Sequence, residues 1–208
     1  MGTAATDMAT TARTGTMGRK LAIALLVGTA GSAQADYDPS QYPAYETCAL
    51  CHGLFGVSHT AKFPNLGGQK SAYIEAQVRN FLDGHRTNDG GQMAAIVTEL
   101  QQEDIPFVAE WFASQDPPPP YPAEDTGAGW LRFSELGCAG CHDNLAGGDP
   151  MVPFLTAQKP GYLIKQMTDF REDRRDAATL AGMHKDLLSI SDAEIYAIAT
   201  FLGAEARP

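Results

Sequence analysis

The sequence predicts an all-α fold made of two similar helical halves in tandem, and three observations indicate it. Apolar residues recur at helical spacing, and no stretch has the alternating pattern of a convincing strand. A polyproline segment from Gln115 cannot continue a helix and divides the chain into halves of similar size. Four residues also recur 90 positions later, since Cys48, Cys51, His52 and Met93 are matched by Cys138, Cys141, His142 and Met183.

The halves are predicted to occupy residues 36–115 and 123–208, with residues 116–122 as a proline-rich linker. Other matching segments lie 89 positions apart, so that Pro-Asn-Leu-Gly-Gly-Gln from Pro64 pairs with Pro-Phe-Leu-Thr-Ala-Gln from Pro153. The register slips by one residue before the proline and recovers before the methionine, as loops allow. Chance similarity between the halves would not restore the register at the methionine.

Local patterns predict the helices. In each half an aromatic residue, a glutamine and a second aromatic residue lie four positions apart and share a helix face. These trios are Tyr73, Gln77 and Phe81, and Tyr162, Gln166 and Phe170. A capping box over Ser191–Glu194 begins the last helix, and an apolar stripe follows it. The stripe is Ile195, Ile198, Ala199 and Leu202, with Ile105, Val108, Ala109 and Phe112 as its first-half counterparts. Trp130 and Phe133 predict a short helix before Cys138, where the first half has only Tyr42 and Tyr45.

Residues 1–35 are predicted to be a cleaved secretory signal peptide. A basic segment from Met17 precedes a short apolar run and an A-x-A cleavage site that ends at Ala35. The polar, Thr-rich residues 1–16 suggest that translation begins at Met17, and an uncleaved anchor is the alternative. Cleavage would change the formal charge from −10 to −12 and leave the mature protein in the periplasm. Such acidity argues against nucleic acid as a partner.

Each half carries a Cys-x-x-Cys-His motif, the attachment sequence of a c-type haem. The two thiols add across the porphyrin vinyl groups, and the histidine becomes the proximal iron ligand. The sequence therefore predicts two covalent haem c groups, held by Cys48, Cys51, Cys138 and Cys141, with His52 and His142 on the irons. A four-cysteine zinc site and a thioredoxin-like pair are the alternatives. Neither alternative explains why a histidine directly follows both cysteine pairs, or why the protein is predicted to be exported.

The sixth iron ligands are predicted to be Met93 and Met183. Each lies 41 residues after its proximal histidine. Met151 follows His142 too closely, and Met167 is expected to pack in the core. The remaining histidines have no counterpart in the other half and are predicted to be surface or loop residues; they are His59, His85 and His184. A haem with histidine and methionine ligands transfers electrons and binds no substrate at iron.

Two further pairs of residues are predicted to support the haems. Pro64 and Pro153 follow their histidines by 12 and 11 residues, so each could present its carbonyl to the imidazole Nδ1–H. Arg86 and Arg175 are candidates for bidentate pairing with haem propionates. The alternative for each arginine is a solvent-exposed side chain.

The mature chain resembles the dihaem cytochrome c4 proteins of bacterial periplasm. The resemblance rests on the paired haem motifs, the Pro-x-Leu-x-x-Gln segments, the late methionines and the stretch from Gly161 to Arg171. It implies two class I cytochrome c domains related by a pseudo-twofold axis, with the haems close to the interface. Members of the family carry electrons from quinol-oxidising complexes to terminal oxidases. The stretch from Arg171 to Arg175 also resembles the dihaem subunit of flavocytochrome c sulfide dehydrogenase, which shares this fold.

Three functions are compatible with these features. The favoured one is a periplasmic carrier with no chemistry of its own, which takes electrons from a quinol-cytochrome c oxidoreductase or a dehydrogenase and delivers them to a terminal oxidase. Peripheral contact with the membrane is compatible with that role. The second is the cytochrome subunit of a dehydrogenase for sulfide, thiosulfate or an alcohol. The third, a dihaem enzyme, needs an open or unusual axial position, against which the two equivalent methionines argue.

Overall fold

The computed structural model describes residues 43–142, 148–175 and 184–208, and within these ranges the protein is helical and contains no strand. The first half contains α1 (Tyr45–His52), α2 (Ser71–Leu82), α3 (Gln92–Val97) and α4 (Ile105–Ala113). The second half contains α5 (Gly127–Glu135), α6 (Ala139–His142), α7 (Pro160–Arg171) and α8 (Asp192–Ala204). Short 3₁₀ turns over Gln102–Asp104 and Lys185–Ser189 lead towards α4 and α8. The predicted signal peptide and Met183 lie outside the described residues.

The equivalent helices α2 and α7 have the same length and begin 89 positions apart. The buried face of α2 consists of Ile74, Val78 and Phe81, which are spaced as one helical stripe. Pro160 is the first residue of α7, where its missing N–H costs no intrahelical bond. The repeat seen in the sequence is therefore a repeat of structure.

The last helices of the halves, α4 and α8, carry the predicted apolar stripes. All eight stripe residues are buried. The predicted capping box at the start of α8 is present, since the Ser191 hydroxyl accepts from the backbone N–H of Glu194 and the Glu194 carboxylate accepts from that of Ser191. In the first half α4 packs on α2, and in the second half α8 packs on α7.

Each half has its own hydrophobic core. The first-half core contains residues from α2, α3 and α4, and no buried member lies after the proline-rich segment. The second-half core contains residues from α5, α7 and α8, with a smaller cluster around Ile190 and Ile195. Because the cores do not mix, the proline-rich segment connects two separately packed helical bodies.

The helices α1 and α5 are not equivalent in the repeat, and each packs on the last helix of its half through different residues. In the second half α5 crosses α8 at Gly129, where an added Cβ would collide with the Ala197 carbonyl oxygen and lie 2.6 Å from the Phe201 Cβ. The first half lacks that glycine. There the Tyr45 ring stacks on the Trp111 ring of α4, with centroids 3.9 Å apart and planes 5° apart.

Within the described part of the chain, no helix is both long and apolar enough to cross a membrane.

Candidate haem sites

The first Cys-x-x-Cys-His motif lies on α1, so a single helix presents both thiols and the imidazole. Cys48 packs against the first-half core, and burial raises the pKa of its thiol to about 11. None of the four cysteines forms a disulfide. A buried, protonated thiol is a poor reactive nucleophile, which disfavours a thioredoxin-like role for this pair.

His52 is buried, and its two ring nitrogens differ in environment. Its Nδ1 lies 3.0 Å from the Pro64 carbonyl oxygen, which is the predicted contact. Because a carbonyl only accepts, Nδ1 must carry the proton. Burial lowers the pKa of His52, a shift that the Pro64 bond opposes and the Arg86 charge assists. The neutral ring therefore presents the lone pair of Nε2, which is the form that binds a metal.

The Nε2 atom of His52 is buried and has no hydrogen-bond partner. A buried polar atom of this kind is uncommon in native structures and calls for an explanation. Iron at this nitrogen would supply the missing interaction, while Cys48 and Cys51 lie on the same helix to anchor a porphyrin. The residues of the first site thus fit a covalently attached haem.

The second site repeats this arrangement at the end of α6. His142 is the last residue of that helix, and its Nδ1 lies 3.3 Å from the Pro153 carbonyl oxygen, again as predicted. Burial is also the main cause that lowers the pKa of His142. Cys138, immediately before the helix, is half-buried, and burial raises the pKa of its thiol. The contact between proximal histidine and proline carbonyl is therefore common to both halves.

Of the two predicted methionine ligands, the structure describes Met93. It lies in the first turn of α3 and packs against the same core cluster as Cys48. The competing methionines behave as expected, since Met167 packs against the second-half core and Met151 is exposed. Met183 lies outside the described residues, and its assignment remains a prediction.

His184 lies in a turn, which agrees with the predicted loop position, but it is not a fully exposed surface residue. His59 and His85 are exposed, but the His184 ring is half-buried and stacks on Phe170 with centroids 4.2 Å apart. Its centroid also lies 6.2 Å from that of His142, and burial lowers its pKa to about 4. The sequence comparison of the halves missed this proximity because the residue has no first-half counterpart.

Arg86 is buried, so the solvent-exposed alternative was wrong for this residue. Its guanidinium donates to Gln77 of its own half at 2.8 Å. It also donates across the interface to the Tyr162 hydroxyl and to Gln166, both at 3.1 Å. Arg86 therefore joins the two halves.

Arg175 makes the equivalent set of bonds in the opposite direction. It donates to Gln166 of its own half at 2.7 Å, and to the Tyr73 hydroxyl and Gln77 of the first half at 3.2 and 3.0 Å. It is half-buried, so full solvent exposure was wrong for this residue too. The reciprocal bonding is what a local pseudo-twofold axis produces. The predicted contacts of Arg86 and Arg175 with propionates remain predictions.

Among the described residues, no group of three or more His, Cys, Asp or Glu side chains is arranged to hold a metal ion. All four cysteines are described. The four-cysteine zinc alternative therefore receives no support from the geometry.

Known proteins are similar to this chain over most of its length. No protein-family model matches it. Cytochrome c4 of Pseudomonas aeruginosa is 32% identical over 200 residues, which cover 88% of this chain and 97% of that protein. The thiosulfate dehydrogenase electron acceptor of Thiomonas intermedia is 28% identical over 202 residues, covering 91% and 92%. The crystal structure of reduced recombinant cytochrome c4 from Pseudomonas stutzeri matches with a TM-score of 0.67 at 24% identity, over 77% of this chain and 96% of that one.

Proposed function

The chain belongs to the cytochrome c4 family, and on that premise we propose that it carries electrons in the periplasm from a respiratory or dehydrogenase donor to a terminal oxidase. As a member of the family it is a dihaem c-type cytochrome with two class I cytochrome c domains. It is an electron-transfer protein rather than an enzyme. The observation that supports the carrier role is the duplicated proximal site, since each half has the same histidine and proline contact.

The proposed ligand set follows the repeat. Cys48 and Cys51 hold one haem and Cys138 and Cys141 the other, and the irons are bound by His52 with Met93 and by His142 with Met183. When bound, each haem supplies a one-electron couple. Because the protein would supply a histidine and a methionine to each iron in this arrangement, no position would remain there for a substrate.

Charge close to the two sites supports a role for the arginines at the propionates. The charge of Arg86 contributes to the lowered pKa of His52, and the charge of Arg175 contributes to that of His184. The Arg86 guanidinium therefore lies close to the proposed proximal histidine of its own half, and the Arg175 guanidinium lies close to His184, whose ring centroid is 6.2 Å from that of His142. A fixed cation there can pair with a propionate while it remains bonded to the glutamines and tyrosines of the interface.

A second candidate function is supported by the similarity to a thiosulfate dehydrogenase electron acceptor. In that role the protein would dock on a periplasmic thiosulfate-oxidising enzyme and receive its electrons directly. This is a specific case of the dehydrogenase subunit considered from the sequence. In the flavocytochrome c sulfide dehydrogenase alternative, a flavoprotein would supply the electrons in place of the thiosulfate-oxidising enzyme.

Stopped-flow kinetics of the mature holoprotein distinguish these roles. The oxidised protein is mixed with quinol-cytochrome c oxidoreductase and quinol, or with thiosulfate dehydrogenase and thiosulfate, and the reduced protein with terminal-oxidase membranes. A carrier is reduced by the quinol complex and reoxidised by the oxidase at rates proportional to partner concentration. Stoichiometric co-purification with a dehydrogenase, and reduction only within that complex, would favour the second candidate. Absence of reduction by either donor would contradict both.

The proposed location rests on the leader sequence. N-terminal sequencing of the protein from the periplasmic fraction should begin at Asp36. A mature protein that retains residues 21–30 would instead support the uncleaved anchor.

A further inference from the structure

The glutamine of each Pro-x-Leu-x-x-Gln segment crosses the interface and binds the backbone of the other half. In the second-half segment, the Gln158 Oε1 accepts from the backbone N–H of Asn65 at 2.8 Å, and its Nε2 donates to the Asn65 carbonyl at 2.9 Å. Gln158 and Asn65 are both buried. The side-chain amide is therefore fixed by two bonds in an environment without competing water.

Gln69 makes the reciprocal pair of bonds. Its Oε1 accepts from the backbone N–H of Phe154 and its Nε2 donates to the Phe154 carbonyl, both at 2.9 Å. Gln69 is also buried, and it lies 89 positions before Gln158, just as Asn65 lies 89 positions before Phe154. The two glutamines thus occupy equivalent positions and have equivalent targets.

The residues that the two glutamines bind, Asn65 and Phe154, each directly follow the proline that contacts the proximal histidine. The N–H of Asn65 and the carbonyl of Pro64 belong to one peptide unit, which is planar. The carbonyl lies 3.0 Å from the His52 Nδ1, and the N–H is held by Gln158. A continuous path of bonded groups therefore runs from a second-half side chain to the first-half imidazole.

The same path runs in the opposite direction. Gln69 holds the N–H of the peptide between Pro153 and Phe154, whose carbonyl lies 3.3 Å from the His142 Nδ1. A hydrogen bond to a peptide N–H polarises its carbonyl and makes it a better acceptor, because hydrogen bonds in a chain strengthen one another. Fixing the N–H also fixes the direction of the carbonyl.

We propose that Gln69 and Gln158 are positioning residues, each of which sets the proximal histidine of the opposite half. Gln158 acts on His52, and Gln69 acts on His142. The proposal rests on the assignment of these histidines as proximal ligands. A stronger acceptor at Nδ1 makes the imidazole a better donor to iron, which stabilises the oxidised state and lowers the reduction potential. Each domain thereby adjusts the potential of the haem held by its neighbour.

The test uses the dihaem holoprotein and the near-isosteric variants Gln158→Met and Gln69→Met. The reduction potential of each haem is measured by redox titration followed by NMR, with haem signals assigned through their thioether links to Cys48 or Cys138. Gln158→Met is expected to raise the potential of the first haem and speed exchange of the His52 Nδ1 proton, with little change at the second haem. Gln69→Met is expected to raise only the second potential.

Tyr121→Phe provides a matched control at the same interface. The Tyr121 hydroxyl accepts from the side-chain Nδ2 of Asn65 at 3.1 Å and does not touch the peptide that faces His52. Its loss weakens the interface without releasing that peptide, so both potentials should remain as in the wild type. Gln158→Glu keeps an oxygen acceptor for the Asn65 N–H and should leave the first potential at or below the wild-type value, even if the methionine variant folds poorly.

The pattern of shifts decides the outcome. The proposal would be overturned if the potential shifted only at the haem of the mutated half, if both haems shifted equally, or if neither shifted. It would also be overturned if Tyr121→Phe caused the same shift. Failure of the carrier function would appear in the stopped-flow kinetics instead, since that measurement does not depend on which haem responds to which glutamine.

Discussion

At the residue scale, the proposed function depends on how each proposed iron ligand is held. His52 is fixed on one side by a carbonyl and presents its other nitrogen in a buried space. Met93 packs against the core of the same half, which Cys48 also contacts. A methionine ligand raises the reduction potential relative to a second histidine, so its identity matters to the direction of electron flow.

Replacement of either methionine ligand should affect one haem only. In Met93→Ala the first haem should lose its low-spin thioether ligation, and in Met183→Ala the second should do so, because each half supplies its own ligand. Optical and NMR spectra of the oxidised variants report the change per haem. Met151→Ala is the control, since that exposed side chain should leave both spectra unaltered. An unchanged spectrum in Met93→Ala would refute its assignment.

Asp169 is a buried carboxylate near the interface, and its ionisation should contribute to stability. Burial raises its pKa, but bonds from Lys165, Asn88 and Arg174 outweigh that effect and hold the pKa below the ordinary value. Because the folded-state pKa lies below the unfolded one, the stabilisation is present at neutral pH. It is lost as the pH falls through the folded-state pKa.

Asp169→Asn should therefore lower the free energy of unfolding by roughly 1–3 kcal/mol at pH 7. The difference from the wild type should begin to shrink below about pH 4, the ordinary pKa of an aspartate, and should be lost as the pH falls through the lower folded-state pKa. Urea unfolding of the holoproteins at pH 7 and pH 3 measures both values. Asp83→Asn, at an exposed position, should have little effect. An equal loss for Asp169→Asn at both pH values would contradict the assigned ionisation.

Individual contacts could be predicted where both partners lie close in sequence. The bonds from His52 to Pro64 and from His142 to Pro153 could be predicted because only 12 and 11 positions separate the partners along the chain. The partners of Arg86 in the other half, Tyr162 and Gln166, could not be found in this way, since they lie 76 and 80 positions away. Chain spacing carries no information on which side chains meet across an interface.

At the scale of elements, different residues hold α5 against α8 in the second half and α1 against α4 in the first half. In the second half, Gly129 lets α5 approach α8 closely. In the first half, the stacked rings of Tyr45 and Trp111 connect α1 to α4, and the Trp111 Nε1 donates to the Leu54 carbonyl at 3.1 Å.

Gly129→Ala should destabilise the second half. The new Cβ would meet the Ala197 carbonyl and the Phe201 Cβ, so the helices must separate, at a cost of roughly 1–3 kcal/mol in the free energy of unfolding. Gly127→Ala on the same helix is the control, because its Cβ would meet only the flexible Asp125 carboxylate, at 3.3 Å. Thermal unfolding of both holoproteins gives the comparison. Equal stability of the two variants would show that the crossing is not tight.

The longer helices were predictable because their apolar stripes extend over several turns, as in α4 and α8. The six-residue helix α3 was not predicted, since so short an element follows two glycines and has too few residues for a periodic pattern. The Tyr45–Trp111 stack was also missed, because its two rings come from helices about 60 residues apart.

At the scale of the whole molecule, two separately packed bodies are joined by polar bonds, many of which are reciprocal between the halves. The reciprocal contacts of the arginines and of Gln69 and Gln158 all obey the same offset. Such bonds fix a register between the halves more strictly than an apolar surface would, because a displaced partner leaves buried polar groups unsatisfied. The domains of a dihaem carrier need this fixed relation if electrons are to pass between its haems.

The near-infrared spectrum of the oxidised holoprotein, quantified per haem, tests the central claim most directly. The methionine-to-iron charge-transfer band reports axial ligation, and we expect its intensity to correspond to two haems with methionine ligands. Intensity for only one haem would contradict the symmetric ligand set and the proposal that the protein is an electron carrier with no chemistry of its own. His184, whose ring centroid lies 6.2 Å from that of His142, would then be the first alternative ligand to replace, and peroxidase and sulfur-oxidising activities would be the first to assay.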